Sequence, residues 1–475
     1  MSQCCGSKSV PVPISKTTSK PASSHDDLSV AIIGGGPIGL AAAAHLVTRG
    51  ESFILFEASA QIAGNVNQWG HVRVFSPWQY NMDNAAKQLL EATDWQSPNE
   101  QAFPTGRELI DEYLSPLSEL PSIKPFIHYN TEVVAVTRKG LSKVKTTGRA
   151  EQPFVLHVQQ GDQLLKYQAK AVIDASGTWA TPNPAVSEGI WTREEQLLNS
   201  HISYGIPDVL GRDMERFAGK NVLVVGSGHS AINTLLDLER LQEREPLTSI
   251  TWVIRKSNVA DVYGGQQSDA LRERGVLGIR LQHLVESGKI SVYTSFLIEH
   301  FEKNEAQVNV LGTVNGETIG IYGLDEVISN TGSRPNLSFL REVRINIDSD
   351  IESVGALAPL IDPNVHSCGT VRPHGEIELR QPDHNFYIVG SKSYGRAPTF
   401  LMATGYEQVR SIVAALTGDW EAAENVELDL PETGVCSVNK SVQLSSSLSS
   451  RQPADNQSES TCSTTSSESG SSCCS

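Results

Sequence analysis

Two stretches of this chain repeat one pattern, and the pattern leaves little choice of fold. Each runs from a short apolar segment through a glycine-rich turn into a helix-forming segment. The first is Ser29–Ile33, then Gly34-Gly35-Gly36-Pro37-Ile38-Gly39, then a run from Leu40 to Leu46 rich in alanine. The second is Lys220–Val225, then Gly226-Ser227-Gly228-His229-Ser230-Ala231, then a helical run to about Leu241. Continuous apolar runs this short suit buried parallel strands. In such a turn the first glycine allows the tight bend and the second lets a phosphate approach the backbone. The third lets the helix pack close to its strand, and alanine is tolerated there. The free N–H groups of the helix start then face an anion. The fold class expected is α/β, with two Rossmann-like, three-layer domains. Two such sites imply two dinucleotides, and the usual use of a pair is to pass a hydride between them.

The strand that follows each helix separates the two sites. Phe53–Phe56 ends in Glu57 and Ala58, and Glu57 stands 23 residues after Gly34. A carboxylate there suits adenosine ribose hydroxyls and repels a 2′-phosphate, which favours FAD or NAD over NADP. Ser249–Ile254 ends instead in Arg255 and Lys256. A cationic strand end suits a 2′-phosphate, so NADPH is expected in preference to NADH. The alternative is that these two cations only solubilise a strand end.

With 475 residues the chain has room for two or three domains with real cores. Residues 1–27 and 435–475 are serine-rich and poor in large apolar groups, and both are expected to be disordered. A net charge of −16 argues against general nucleic-acid binding. No apolar run is long enough to span a membrane, and no secretory leader is evident. The seven cysteines form no disulfide framework and no Cys-x-x-Cys, so a reducing cytoplasm is the expected location and a thioredoxin-reductase-like dithiol is not expected.

Two further segments end an apolar strand in small residues at a sharp turn: Ala171–Trp179 and Glu326–Pro335. Both read as crossings between domains, with prolines holding the exits extended. Together with the two glycine turns they resemble the two-dinucleotide flavoproteins, and within them the flavin-containing monooxygenases and N-hydroxylases. The resemblance implies a split FAD domain, 28–205 and 336–434, with an NADPH domain, 206–335, inserted into it. It places FAD near Gly34, Gly36, Pro37, Ile38, Gly39, Glu57, Ala58, Asn65, Trp69, Arg73, Gly390 and Phe400. It places NADPH near Gly226, Gly228, His229, Ser230, Arg255 and Lys256. Asn385–Ser391 resembles the late strand and turn that complete the FAD site, although Lys392-Ser393-Tyr394-Gly395-Arg396 replaces the acid that often follows the glycine.

The resemblance also carries chemistry. NADPH would reduce the flavin, and O2 would give a C4a-hydroperoxyflavin that oxygenates a soft nucleophile: nitrogen, sulfur or trivalent arsenic. The alternatives are electron delivery to a quinone, disulfide or metal acceptor without oxygen insertion, and a nucleotide-sensing protein without turnover. Trp78, Tyr80, His201 and Arg396 are the expected catalytic or substrate-wall residues. His201 stands at the histidine of a family signature whose other positions are broken by Glu195 and Leu197. It therefore reads either as a nicotinamide contact or as a structural histidine. Thr105 is an expected helix cap. His366, Cys368 and His374 lack a fourth ligand, and no metal site is expected. Segments His71–Trp78 and Tyr394–Phe400 are similar to flavoproteins encoded with arsenic-resistance genes. Cys4-Cys5 and Cys473-Cys474 suit soft-metal or arsenical capture, or are incidental or lipid-modified. The oligomeric state is open, with a homodimer as one option.

Overall fold

The computed structural model describes residues 27–269, 271–365 and 371–428. All seven cysteines, His366 and the terminal segments apart from Asp27 lie outside those residues, and so do the expectations attached to them.

In chain order the first module contributes β1 (Val30–Ile33), α1 (Pro37–Thr48), β2 (Phe53–Phe56), α2 (Asn84–Glu91) and β3 (Ile127–His128). An antiparallel meander follows, β4 (Thr131–Arg138), β5 (Phe154–Gln160) and β6 (Gln163–Ala169), and leads into β7 (Ala171–Asp174). The second module repeats this plan. It runs β8 (Ile202–Tyr204), β9 (Asn221–Val225), α3 (His229–Arg244), β10 (Ser249–Val253), α4 (Arg272–Glu286) and β11 (Ser291–Tyr293). Its meander is β12 (Phe296–Asn304), β13 (Gln307–Val314) and β14 (Glu317–Leu324), followed by β15 (Glu326–Ser329). The chain then returns to the first module with β16 (Phe386–Ile388) and α5 (Met402–Leu416).

Each module is centred on a five-stranded sheet, ordered β16-β7-β1-β2-β3 in the first and β8-β15-β9-β10-β11 in the second. All neighbours in both are parallel. Each glycine-loop strand is central, and its four-residue apolar core is buried on both faces, as a parallel sheet covered by helices requires. Ala41 to Ala44 are fully buried. Their small side chains let α1 lie between the sheet and α5. A Cβ on Gly39 would run into the carbonyl oxygen of Gly34, so α1 meets its own turn at a distance only glycine permits.

The expected change of module at 205/206 comes too late. Ile202–Tyr204 is the edge strand of the second sheet, paired with β15. Ala185, Val186 and Leu198 are buried with Phe296, Val310 and Leu324 of the second meander. These apolar side chains draw the segment into the second core, so the chain crosses earlier, through Gly177–Asn183. The return crossing runs antiparallel to it. The Asn183 N–H donates to Gly332 O (2.9 Å), the Arg334 N–H donates to Thr181 O (2.9 Å), and Ser333 Oγ donates to Thr178 Oγ1 (2.9 Å). The two linkers are thus zipped together by hydrogen bonds.

Candidate active site

The first cavity, about 380 Å3, opens at the carboxyl ends of β1, β7 and β16, where ligands of open α/β sheets bind. Gly34 has φ 100°, and a Cβ there would stand 2.8 Å from Ala175 O, so only glycine lets the turn pass under the crossing segment. A Cβ on Gly36 would meet nothing within 4 Å, so this backbone faces open space. Helix α1 begins at Gly36 with no side-chain cap, leaving its first-turn N–H groups for a ligand. Glu57 lines the same cavity. Its Oε2 accepts the Gly35 N–H (2.7 Å) and its Oε1 accepts the Ser59 N–H (2.8 Å), which holds the carboxylate still beside the glycine turn. Farther along the cavity stand Asn65, Val66, Trp69 and Trp179. The two indoles are 6.4 Å apart between centroids, and Trp179 Nε1–H donates to Gln68 Oε1 (2.8 Å). Phe400 and Met402 close the far end, where α5 starts without a side-chain cap. A fixed carboxylate at a strand end, an uncapped helix start and two neighbouring indoles around one space fit FAD.

The second cavity, about 590 Å3, repeats the arrangement at the carboxyl ends of β9, β10 and β15. Gly226 has φ 125°, and a Cβ there would collide with Asn330 O. Gly228 faces open space, and α3 starts behind it without a side-chain cap. His229 and Ser230 line the helix start, and Arg255 stands at the rim. The His229 ring lies 5.0 Å from Phe75 of the first module. Burial, with the Arg274 charge second, pushes its imidazole pKa down to about 4, so it faces the cavity as a neutral ring. Thr178, Ser391 and Phe400 line both cavities, which therefore meet wall to wall. Arg396 lines the second cavity.

Several sequence-predicted residues are placed elsewhere. Trp78 is 3% exposed and packs in the first core, a position its large apolar ring earns by burial. Tyr80 lines a separate cavity with His45, Asp83 and Arg410. Neither touches the dinucleotide cavities. His201 precedes β8 and so lies at the amino end of the second sheet, opposite the nucleotide edge. Its Nδ1 faces Asp325 O (3.1 Å), which is the structural role of the two weighed for it. Ala58 points outward and lines neither cavity. Lys256 Nζ donates to Asp261 O (2.8 Å) and lies outside the cavity that Arg255 borders. Arg73 lies beyond the first cavity, hydrogen-bonded to Phe103 O and 3.5 Å from Glu108. Thr105 caps its helix in a reciprocal box with Glu108.

Other residues acquire roles that sequence reasoning passed over. Glu195 is 1% exposed. Its carboxylate accepts the Ala185 N–H (2.6 Å) and the Tyr204 O–H (2.6 Å), and so holds the Pro184–Gly189 wall of the second cavity. The spacing Thr192-x-x-Glu195 reads as a helix cap, and Thr192 does cap, but the acid turns inward. Lys392 and Asp174 form a fully buried pair (2.7 Å) beneath the first cavity, and Lys392 also donates to Ser176 Oγ (3.0 Å). The Gly390 N–H donates to Gln408 Oε1 (2.7 Å), and Gln408 Nε2 lies 3.0 Å from His374 Nε2. His374 Nδ1 faces Arg372 O (3.1 Å) and must be the protonated nitrogen, leaving Nε2 to accept from Gln408. His374 steadies the turn under the first cavity, while His366 and Cys368 lie outside the described residues.

Two glycine cradles, an acid at one strand end, a guanidinium at the other and cavities that meet define a two-dinucleotide oxidoreductase. Residues 31–359 match the pyridine nucleotide-disulphide oxidoreductase family, and the chain belongs to it. It is a flavin-dependent, NADPH-linked enzyme. Ferredoxin–NADP reductase 2 of Exiguobacterium sibiricum is 21% identical over 362 residues, 74% of this chain and 83% of that protein. Trimethylamine monooxygenase of Methylocella silvestris is 28% identical over 222 residues, 42% of this chain and 46% of that protein. Among solved structures, bacillithiol disulfide reductase from Bacillus cereus superposes with TM-score 0.60 at 18% identity, over 82% of this chain and 99% of that one. A cadaverine monooxygenase from Erwinia amylovora, bound to FAD, superposes with TM-score 0.59 at 12% identity, over 86% and 99%. At such identities the superpositions speak for the fold.

Proposed function

We propose that this enzyme is an NADPH-dependent flavin monooxygenase acting on a soft nucleophile, an amine nitrogen, a sulfur or a trivalent arsenic. The observation that carries the reading is the meeting of the two cavities at Thr178, Ser391 and Phe400. The sequence carries no Cys-x-x-Cys, and in this reading reducing equivalents passed across that junction leave to a diffusible acceptor. The balance is NADPH, H+, O2 and substrate in, and NADP+, water and the singly oxygenated substrate out. FAD, when bound, supplies the redox centre. The chain supplies the rest. Gly34, Gly36, Pro37 and Ile38 would cradle its pyrophosphate, Gly39 lets α1 pack against that turn, and Glu57 would take its ribose. Trp69 and Trp179 shield its ring from water, and apolar enclosure of this kind protects a reactive site from hydrolysis. Gly226, Gly228, His229 and Ser230 cradle NADPH, and Arg255 takes the 2′-phosphate. Arg396, which lines the second cavity, would orient substrate. The partial match to trimethylamine monooxygenase supports oxygen insertion.

Electron delivery to an external acceptor is the second reading, favoured by the match to a ferredoxin–NADP reductase over most of the chain. Oxygen uptake and NADPH oxidation, followed together with trimethylamine, dimethyl sulfide or arsenite and then with a quinone under argon, separate the two. Stimulation of both rates by a nucleophile is expected. Fast anaerobic quinone reduction with no nucleophile response would sink the monooxygenase.

A further inference from the structure

A third space of about 280 Å3 lies between the modules, behind Phe75. One wall is His71–Phe75 of the first module. The other is made by Asn233, Asp237 and Arg240 on α3 and by Glu273, Leu277 and Arg280 on α4, each set recurring at the spacing of one helix face. Phe75 alone lines both this space and the second cavity. The side cavity is therefore a neighbour of the reaction site without being part of either dinucleotide cradle.

Its polar groups are unevenly satisfied. Arg73 is engaged by Glu108 (3.5 Å), and Arg240 by Asp237 (3.3 Å). Arg280 has no hydrogen bond or ion pair among the described residues, and no partner is found there for the buried Nε2 of His71. Glu273 is two helical turns from Arg280, about 10 Å along the axis, and makes no pair with it. Burial raises the pKa of the Asp237 carboxyl, opposed by the charges of Arg240, His71 and Arg280, so these groups act on one another across the space. Guanidinium groups thus line the space from both modules, Arg73 on one side and Arg240 and Arg280 on the other, with the His71 ring on the side of Arg73. A guanidinium with unused donors inside a cavity is matched by an oxyanion, which accepts its paired N–H groups. An anion placed there would also relieve the facing positive charges.

We propose that this side cavity binds a small oxyanion, with Arg280 and His71 as its principal donors and Arg73 and Arg240 completing the field. The site is distinct from the 2′-phosphate position at Arg255, which lies in the other cavity.

Inorganic phosphate and sulfate are the probes, titrated calorimetrically into the FAD-loaded enzyme with saturating NADP+ present. Binding is expected to persist under NADP+ and in Arg255→Ala. It is expected to weaken at least tenfold in Arg280→Ala and in His71→Phe, and to be partly kept in Arg280→Lys. Unchanged NADP+ affinity and circular dichroism establish that these variants fold. The idea is overturned if neither anion binds under saturating NADP+. It is equally overturned if binding disappears in Arg255→Ala or survives intact in Arg280→Ala. None of these readings depends on oxygen insertion, so the monooxygenase and the anion site stand or fall separately.

Discussion

Arg255 and Glu57 stand at equivalent strand ends of the two cradles with opposite charge, and Arg255 makes a single-residue prediction. Replacing Arg255 by alanine removes a charge-assisted contact of about 1.5–3 kcal/mol. The preference for NADPH over NADH, measured as the ratio of kcat/KM values, is expected to fall roughly 10- to 100-fold; an unchanged ratio refutes the phosphate contact. Glu195 acts at one remove. Glu195→Gln turns an acceptor of backbone N–H groups partly into a donor, and a buried mismatch costs about 1–3 kcal/mol. The KM for NADPH is expected to rise roughly fivefold, with kcat at saturation nearly unchanged. An unaltered KM would show that the Pro184–Gly189 wall holds without it. His229 supplies a pH dependence. Its folded pKa of about 4 lies below the ordinary value of 6.5. As pH falls the unfolded chain therefore takes up the proton first, and stability declines between those two values. In His229→Gln the drop in Tm from pH 6.5 to pH 4 is expected to be shallower than in the parent, and an identical slope contradicts the assignment.

At the scale of elements, the glycine turns govern how closely helix and strand approach. Gly39→Ala places a methyl group against the Gly34 carbonyl, and overpacking of this kind costs about 1–3 kcal/mol or more. Flavin content after purification and Tm are both expected to fall; retention of both would show that α1 can slide without cost. The strands, turns and first helices of both cradles were legible because an apolar run, a glycine turn and a small-residue helix are local signals. The split of the first module was legible too, since β16 returns beside β7 after the second module. The edge strand β8 was not. Three residues carry too little pattern, and their partner, β15, lies more than 120 residues away. Trp78 and Tyr80 misled for a related reason. Dense aromatics mark a buried neighbourhood, and composition alone does not distinguish a core from a cavity wall. For His201 the sequence leaves two readings open, and its position at the amino end of a strand sets it apart from the nucleotide edge. Glu195 and the Asp174–Lys392 pair needed three dimensions, because their partners come from separate segments of the chain.

The whole molecule uses one plan twice and makes the copies unequal. The sheets share an order, the cavities open at equivalent strand ends, and two hydrogen-bonded linkers hold them so that their walls coincide at three residues. In the function proposed above, this arrangement gives electrons a direction, from the cavity bordered by Arg255 to the cavity bordered by Glu57. What leaves the second of these is the central claim, and isotope counting reads it directly. Turnover under 18O2 with trimethylamine, dimethyl sulfide or arsenite, scored by mass spectrometry against NADPH consumed, is predicted to give one labelled oxygen atom in the product per NADPH. NADPH consumed with no label in any product, and the electrons recovered in hydrogen peroxide or a reduced acceptor, would contradict it.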